Sequence, residues 1–258
     1  MKPDLERVMR RRRRERLRLL LTGAVGTTVA LVAVLLVWNQ VMSDAQTPSE
    51  DFSSPTLVEG GSPRSQLNMV GDSITLVSKR ELNDMFTLRE WSNSVVGNWG
   101  TTITENRDRI REAAQGQPRS LVIELGTNDL LRASSESTSD IELQTRLESI
   151  AAEVRSVLEE LRSNACVVWV NINDWATMGP TDFRRVGAWF NLQLGRLQQD
   201  FPNLHIADYA TLFRPSDPVK LSWVAANFDQ SQIHPQSGES RLMLAATVAD
   251  MAGSLCGI

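Results

Sequence analysis

Histidine occurs only twice in these 258 residues, and no group of His, Cys, Asp and Glu has the spacing of metal ligands. Neither a metal nor any other cofactor is therefore expected. Cysteine is as scarce, with Cys166 and Cys256 alone. Neither has a basic neighbour in sequence, which disfavours a thiolate nucleophile, and whether the two are joined stays open because sequence does not give their distance. Internal repeats are lacking, which argues against a solenoid or a propeller. Charge is missing altogether between Leu19 and Ser43. Ahead of that gap, residues 1–18 carry a net charge of +6, and behind it the chain carries −10. An acidic body matches a phosphate backbone poorly, so no nucleic-acid partner is expected.

The uncharged stretch contains about 20 well-packed apolar residues, the length of a bilayer-spanning helix. Trp38 stands at its far end and the arginine cluster at its near end, which orients such a span with the N-terminus in the cytoplasm. A cleaved signal peptide is the alternative, since Ser43-Asp44-Ala45 has a small-x-small form; the length of the apolar run favours an uncleaved anchor. Residues 43–65 are rich in Ser, Pro, Gly and acidic residues and read as a linker. The expected organisation is a basic cytoplasmic tail (1–18), a transmembrane anchor (19–42), a linker (43–65) and a folded domain (66–258). The expected location is the cell membrane, single-pass, with that domain outside the cytoplasm.

Within the folded part, short apolar and partly β-branched runs at Leu67–Val70, Ser94–Val96, Leu121–Leu125, Cys166–Asn171 and Leu204–Ala207 read as strands buried on both faces. Helical periodicity lies between them. It is clearest over Asp140–Arg162, where Leu147, Ile150, Ala151, Val154, Leu158 and Leu161 form one stripe and Ser139 with Glu142 suggests a capping box. Further helices are expected after Ser73, over about Thr181–Gln199 and over about Gly238–Ala252. Alternating strands and helices imply a parallel sheet covered on both sides, with a site in the loops at the carboxyl ends of the strands.

Four stretches point to that rim: "GDSI" (71–74), "SVVGNWG" (94–100), "LVIELGTNDL" (121–130) and "FDQSQIHPQSG" (228–238). Taken singly, each has an ordinary meaning. Ser73 or Asp72 would cap a helix, Gly97 would be a loop glycine, Asn128 a turn residue and His234 a surface residue. Together they supply what acyl transfer needs: a hydroxyl nucleophile at Ser73, a base at His234, and oxyanion donors in the Asn128 amide and the Gly97 and Ser73 N–H groups.

The order of these blocks, with GDSI early, a glycine after the second strand, GTND after the third and His-Pro before the last helix, resembles the SGNH hydrolases, also called GDSL esterases/lipases. The resemblance covers roughly residues 66–256. It implies a flavodoxin-like three-layer α/β/α sandwich with a five-stranded parallel sheet, here preceded by one transmembrane helix. It implies Ser73 as nucleophile, His234 as base, and Ser73, Gly97 and Asn128 as the oxyanion hole. The G-x-S-x-G elbow of other α/β-hydrolases is absent. One position departs from the pattern. The acid usually three residues before the histidine is Ser231 here, and the nearest carboxylate is Asp229, five before. Either Asp229 completes a triad or a backbone carbonyl leaves a Ser-His dyad; Asp229 is preferred. Gly97 is likewise preferred to Gly100.

The expected activity is that of an extracytoplasmic serine esterase releasing ester-linked acyl groups from an envelope glycan or lipid. An O-acyltransferase with the same residues, or a non-catalytic anchored module of the same fold, are the alternatives. Expected partners are the acylated glycan or lipid, the membrane through residues 19–42, and an envelope acyltransferase. Trp99 and Trp175, in loops after strands, are the aromatic side chains placed to line a substrate pocket.

Overall fold

The computed structural model describes residues 66–176, 183–213 and 218–258. Five parallel strands form its centre: β1 (Gln66–Gly71), β2 (Ser92–Gly97), β3 (Ser120–Glu124), β4 (Val167–Val170) and β5 (Leu204–Ala207). Their order is β2-β1-β3-β4-β5, the flavodoxin-like order expected. All five residues of β3 and all four of β4 are buried, as strands covered on both faces must be.

The helices are α1 (Ser73–Val77), α2 (Lys79–Leu88), α3 (Arg107–Ala114), α4 (Thr127–Glu136), α5 (Asp140–Glu160), α6 (Phe183–Leu197), α7 (Pro218–Asn227) and α8 (Gly238–Cys256). One layer packs α2 against α8; in the other, α4, α5 and α6 pack on one another. Of the expected stripe of α5, Leu147, Val154, Leu158 and Leu161 are buried, Ile150 and Ala151 only partly, and Leu143 and Val157 join the buried face. Its capping box is displaced by one residue. Ser139 accepts from the Glu142 N–H at 3.2 Å, but the Glu142 carboxylate reaches back to the Thr138 N–H at 2.9 Å rather than to Ser139. Helices α3 and α7 carry no stripe legible in sequence; α3 buries Ile110 alone.

Cys166, just before β4, and Cys256, the last residue of α8, are joined in a disulfide with Cα atoms 5.6 Å apart. The question left open by the sequence is thereby answered: strand start and helix end meet at one edge of the sheet.

The membrane location expected from the sequence needs correction. Among the described residues no helix is long and apolar enough to cross a membrane. The two longest show why: α5 carries eight ionisable side chains in 21 residues, and α8 carries Glu239, Arg241 and Asp250 in 19. Desolvating such charges in lipid is costly. The tail, apolar run and linker at 1–18, 19–42 and 43–65 lie outside the described residues.

Candidate active site

Gly71 ends β1 directly opposite Gly97 at the end of β2 and Glu124 at the end of β3. Three loops therefore leave the sheet from one row. They do so where the strand order turns back on itself, the place where open α/β sheets form their clefts. After Gly71 the chain enters α1. Asp72, fully buried, caps that helix by accepting from the Ile74 N–H at 2.9 Å. Capping is thus done by the aspartate, and the neighbouring serine is free for another bond. Ser73 Oγ lies 2.8 Å from His234 Nε2, across 161 residues of sequence.

His234 sits in a small hairpin. Phe228 and Pro235 form an antiparallel bridge, Asp229 N–H donates to the His234 carbonyl at 3.0 Å, and Gln232 N–H donates to the Asp229 carbonyl at 2.9 Å. Gln232 takes a left-handed φ of 59° to close the turn. This fold of the chain returns Asp229 to the imidazole, with Oδ2 at 2.7 Å from Nδ1. Asp229 Oδ1 accepts from Ser231 Oγ and, at 3.0 Å, from the Ile233 N–H. Ser231, which stands where the family usually has its acid, orients the acid that replaces it. From the loop after β4, Asn173 Nδ2 donates to the Gln232 carbonyl at 2.7 Å and holds the hairpin over the sheet. Burial pushes the Asp229 carboxyl up, but hydrogen bonds from His234, Ser231 and Ile233 outweigh it and bring it down to about 2. An anion at Nδ1 fixes the proton there and leaves the Nε2 lone pair facing the Ser73 hydroxyl.

Asn128, in the first turn of α4, donates both amide hydrogens: to Asp72 Oδ2 at 2.9 Å and to the Thr101 carbonyl at 3.2 Å. Gly97 packs beneath α1. A Cβ there would lie 2.4 Å from the Leu76 nitrogen and 3.0 Å from the Asp72 carbonyl, so no side chain fits. Gly100 has a φ of 63° and open space around its Cβ position. Its loop is tied to α4 by Arg132, which donates to the Gly100 carbonyl at 2.8 Å and pairs with Glu105. That loop carries Trp99, half-exposed at 52%, to within 5.7 Å of the His234 ring. Trp175 is partly buried beneath the Arg184 guanidinium, 4.0 Å from its ring, and is the less available of the two.

Two buried carboxyl groups, Asp72 and Glu124, and the partly buried Asp129 lie behind these residues, and sequence reasoning gave Glu124 no role. Glu124 Oε2 accepts from the Thr75 N–H at 3.2 Å and from Thr75 Oγ at 2.9 Å. Asp129 accepts from the Ile103 N–H at 3.1 Å. Burial is the main reason that Asp72 is raised to about 6 and Asp129 to about 7. Glu124 is raised well above the usual carboxyl range by burial and then by the charge of Asp72. The signal was present in the sequence, as an acid inside the apolar run "LVIEL".

A serine, an imidazole and a carboxylate in hydrogen-bonded series at the carboxyl edge of a parallel sheet define the serine hydrolase class. The chain belongs to the GDSL-like Lipase/Acylhydrolase family, whose sequence profile matches residues 69–237. That membership makes it an enzyme acting on ester bonds. The catalytic domain of peptidoglycan O-acetyltransferase A from Streptococcus pneumoniae shares the fold, at 14% identity and a TM-score of 0.54, over 74% of this chain and 94% of that one. Acetylxylan esterase Axe2 from Geobacillus stearothermophilus does so at 16% identity and a TM-score of 0.55, over 75% and 94%. A search of curated protein sequences gave no significant match.

Proposed function

We propose that the chain is a serine esterase that removes small acyl groups from a glycan through an acyl-enzyme. The observation that carries this reading is the continuous series Ser73 Oγ, His234 and Asp229, with contacts of 2.8 and 2.7 Å. Ser73 attacks the ester carbonyl as His234 takes its proton, and Asp229 holds the imidazole and steadies its positive charge. The oxyanion is held by the N–H groups of Ser73 and Gly97 and by the Asn128 amide, which gives up its longer bond to Thr101 for it. His234 then returns the proton to the leaving sugar oxygen, and water repeats the sequence on the acyl-enzyme. A glycan substrate is supported by Trp99, an exposed ring beside the histidine suited to the apolar face of a sugar. It is also supported by the two fold relatives, whose names place acetyl groups on peptidoglycan and on xylan.

The test is labelling by a fluorophosphonate probe together with hydrolysis of p-nitrophenyl acetate. Both should be present in the native chain and absent from Ser73→Ala. A native chain that neither labels nor hydrolyses would defeat the proposal and restore the non-catalytic binding module.

Transfer to a sugar hydroxyl in place of water is the second reading, favoured by the likeness to the O-acetyltransferase domain. It uses the same residues. Product analysis with and without an oligosaccharide acceptor separates the two, since transfer gives acylated acceptor in place of free acid.

A further inference from the structure

The relay described above makes no use of Glu124, although this side chain is only 5% exposed and lies directly under the nucleophile turn. We propose that Glu124 acts as a neutral carboxylic acid, a positioning residue that donates a hydrogen bond to the Asp72 carboxylate and through it fixes the Asn128 amide. This rests on the esterase reading for its effect on turnover, but not for its effect on stability.

The bonding pattern assigns the proton. The Glu124 backbone carbonyl accepts from the Asp72 N–H at 3.2 Å, which places the two residues side by side at the end of β3 and just past β1. Glu124 Oε2 is occupied as an acceptor by the Thr75 N–H and hydroxyl. The Asp72 and Glu124 carboxyls accept from the consecutive N–H groups of Ile74 and Thr75, which sets the two buried side chains next to one another. Two neighbouring carboxyl groups buried away from water do not both ionise, so one of them keeps its proton. Asp72 has the better claim to the negative charge. It accepts from the Ile74 N–H and from Asn128 Nδ2, each at 2.9 Å, and it feels the attraction of His234. Glu124 therefore keeps the proton on Oε1 and donates its hydrogen bond to the Asp72 carboxylate. The charged and titratable groups acting on this pair are each other, His234, Asp129 across from Asp72, and Tyr209 after β5. The upward displacement of Glu124 by burial is what a retained proton requires.

The consequence is mechanical. Asp72 is gripped on three sides, and it holds one of the two amide hydrogens of Asn128 in place. The other is thereby aimed along the Thr101 direction, where the developing oxyanion can take it.

Two variants and two readouts test this. Gln at 124 keeps an acceptor toward Thr75 and a donor toward Asp72, so Glu124→Gln should hold kcat for p-nitrophenyl acetate within about threefold of native. Glu124→Leu removes the donor and should lower kcat about tenfold or more, the scale of a loosened oxyanion donor, with KM little changed. Independently of activity, the urea midpoint of the native chain should fall from pH 5 to pH 8 more steeply than that of Glu124→Gln. The folded native chain retains a proton there that its unfolded form releases. A Gln variant as slow as the Leu variant, or parallel midpoint curves for native and Gln chains, overturns the proposal. Failure of the native chain to react with fluorophosphonate sinks the esterase reading instead and leaves the stability arm to decide on Glu124.

Discussion

Asp72 and Ser73 stand next to one another and divide two tasks that either could have done alone. The aspartate caps α1 and orients Asn128, and the serine hydroxyl is left to His234. Removing either end of this arrangement should act on turnover rather than on folding. Asn128→Ala should lower kcat by about 10²–10³-fold, the cost of losing one oxyanion donor, and an unchanged rate would remove it from the oxyanion hole. Asp229→Asn should lower kcat by about 10³–10⁴-fold, because an amide at Nδ1 permits the wrong tautomer. Full activity in that variant would mean a dyad. Trp99→Ala separates substrate from chemistry. It should raise KM for an acetylated oligosaccharide while leaving p-nitrophenyl acetate turnover unchanged. Equal losses on both esters would make Trp99 a support for His234 rather than a sugar platform.

At the scale of elements, the hairpin Phe228–Pro235 explains a spacing that the family pattern does not contain. Two extra residues between acid and histidine are absorbed by one turn with Gln232 in the left-handed region, and Ser231 and Asn173 pin it. Close approach does similar work at β2 and α1. Gly97→Ala would drive a Cβ into the backbone of Leu76 and should cost about 1–3 kcal/mol, the range of overpacked sites, read as a lower urea midpoint with reduced kcat. The Cys166–Cys256 bond closes a loop of 90 residues between β4 and the end of α8. Reduction, or a double Cys→Ala change, should lower stability by about 2–4 kcal/mol while leaving kcat for p-nitrophenyl acetate near native, because the bond lies at the start of β4 and the relay at the opposite edge.

For the whole molecule, the acids whose titration the fold displaces set the pH dependence of stability. Asp229 and Glu160 titrate at about 2 in the folded chain, below their ordinary values of 3.8 and 4.5, so stability rises from pH 2 to about 4. Asp72 and Asp129 titrate at about 6 and about 7, above the ordinary 3.8, and Glu124 is raised as well. From about pH 4 to 7 the unfolded chain has released protons that the folded chain still binds, so stability falls as pH rises. A urea midpoint measured against pH should therefore peak near pH 4–5. Asp129→Asn, which keeps an acceptor for the Ile103 N–H, should flatten the neutral side; a midpoint that climbs steadily to pH 7 in both chains contradicts this assignment.

The five strands within a residue or two, the parallel α/β class, the strand ends that carry Ser73 and Asn128 and the loop before the last helix that carries His234 were all legible in the sequence. All of these follow from local periodicity and from residues flanking it, which a linear reading captures. It left α3, α4 and α7 unseen: α3 buries one side chain, which leaves no stripe, and α4 is short, with Leu130 and Ala133 its only buried apolar side chains. That Asp229 reaches the imidazole, that the cysteines are joined and that Glu124 lies next to Asp72 became visible in three dimensions alone. Each depends on which strand ends lie side by side and on how one turn closes. Those are distances through space between residues 5, 90 and 52 positions apart, and side-chain sequence patterns carry no measure of them.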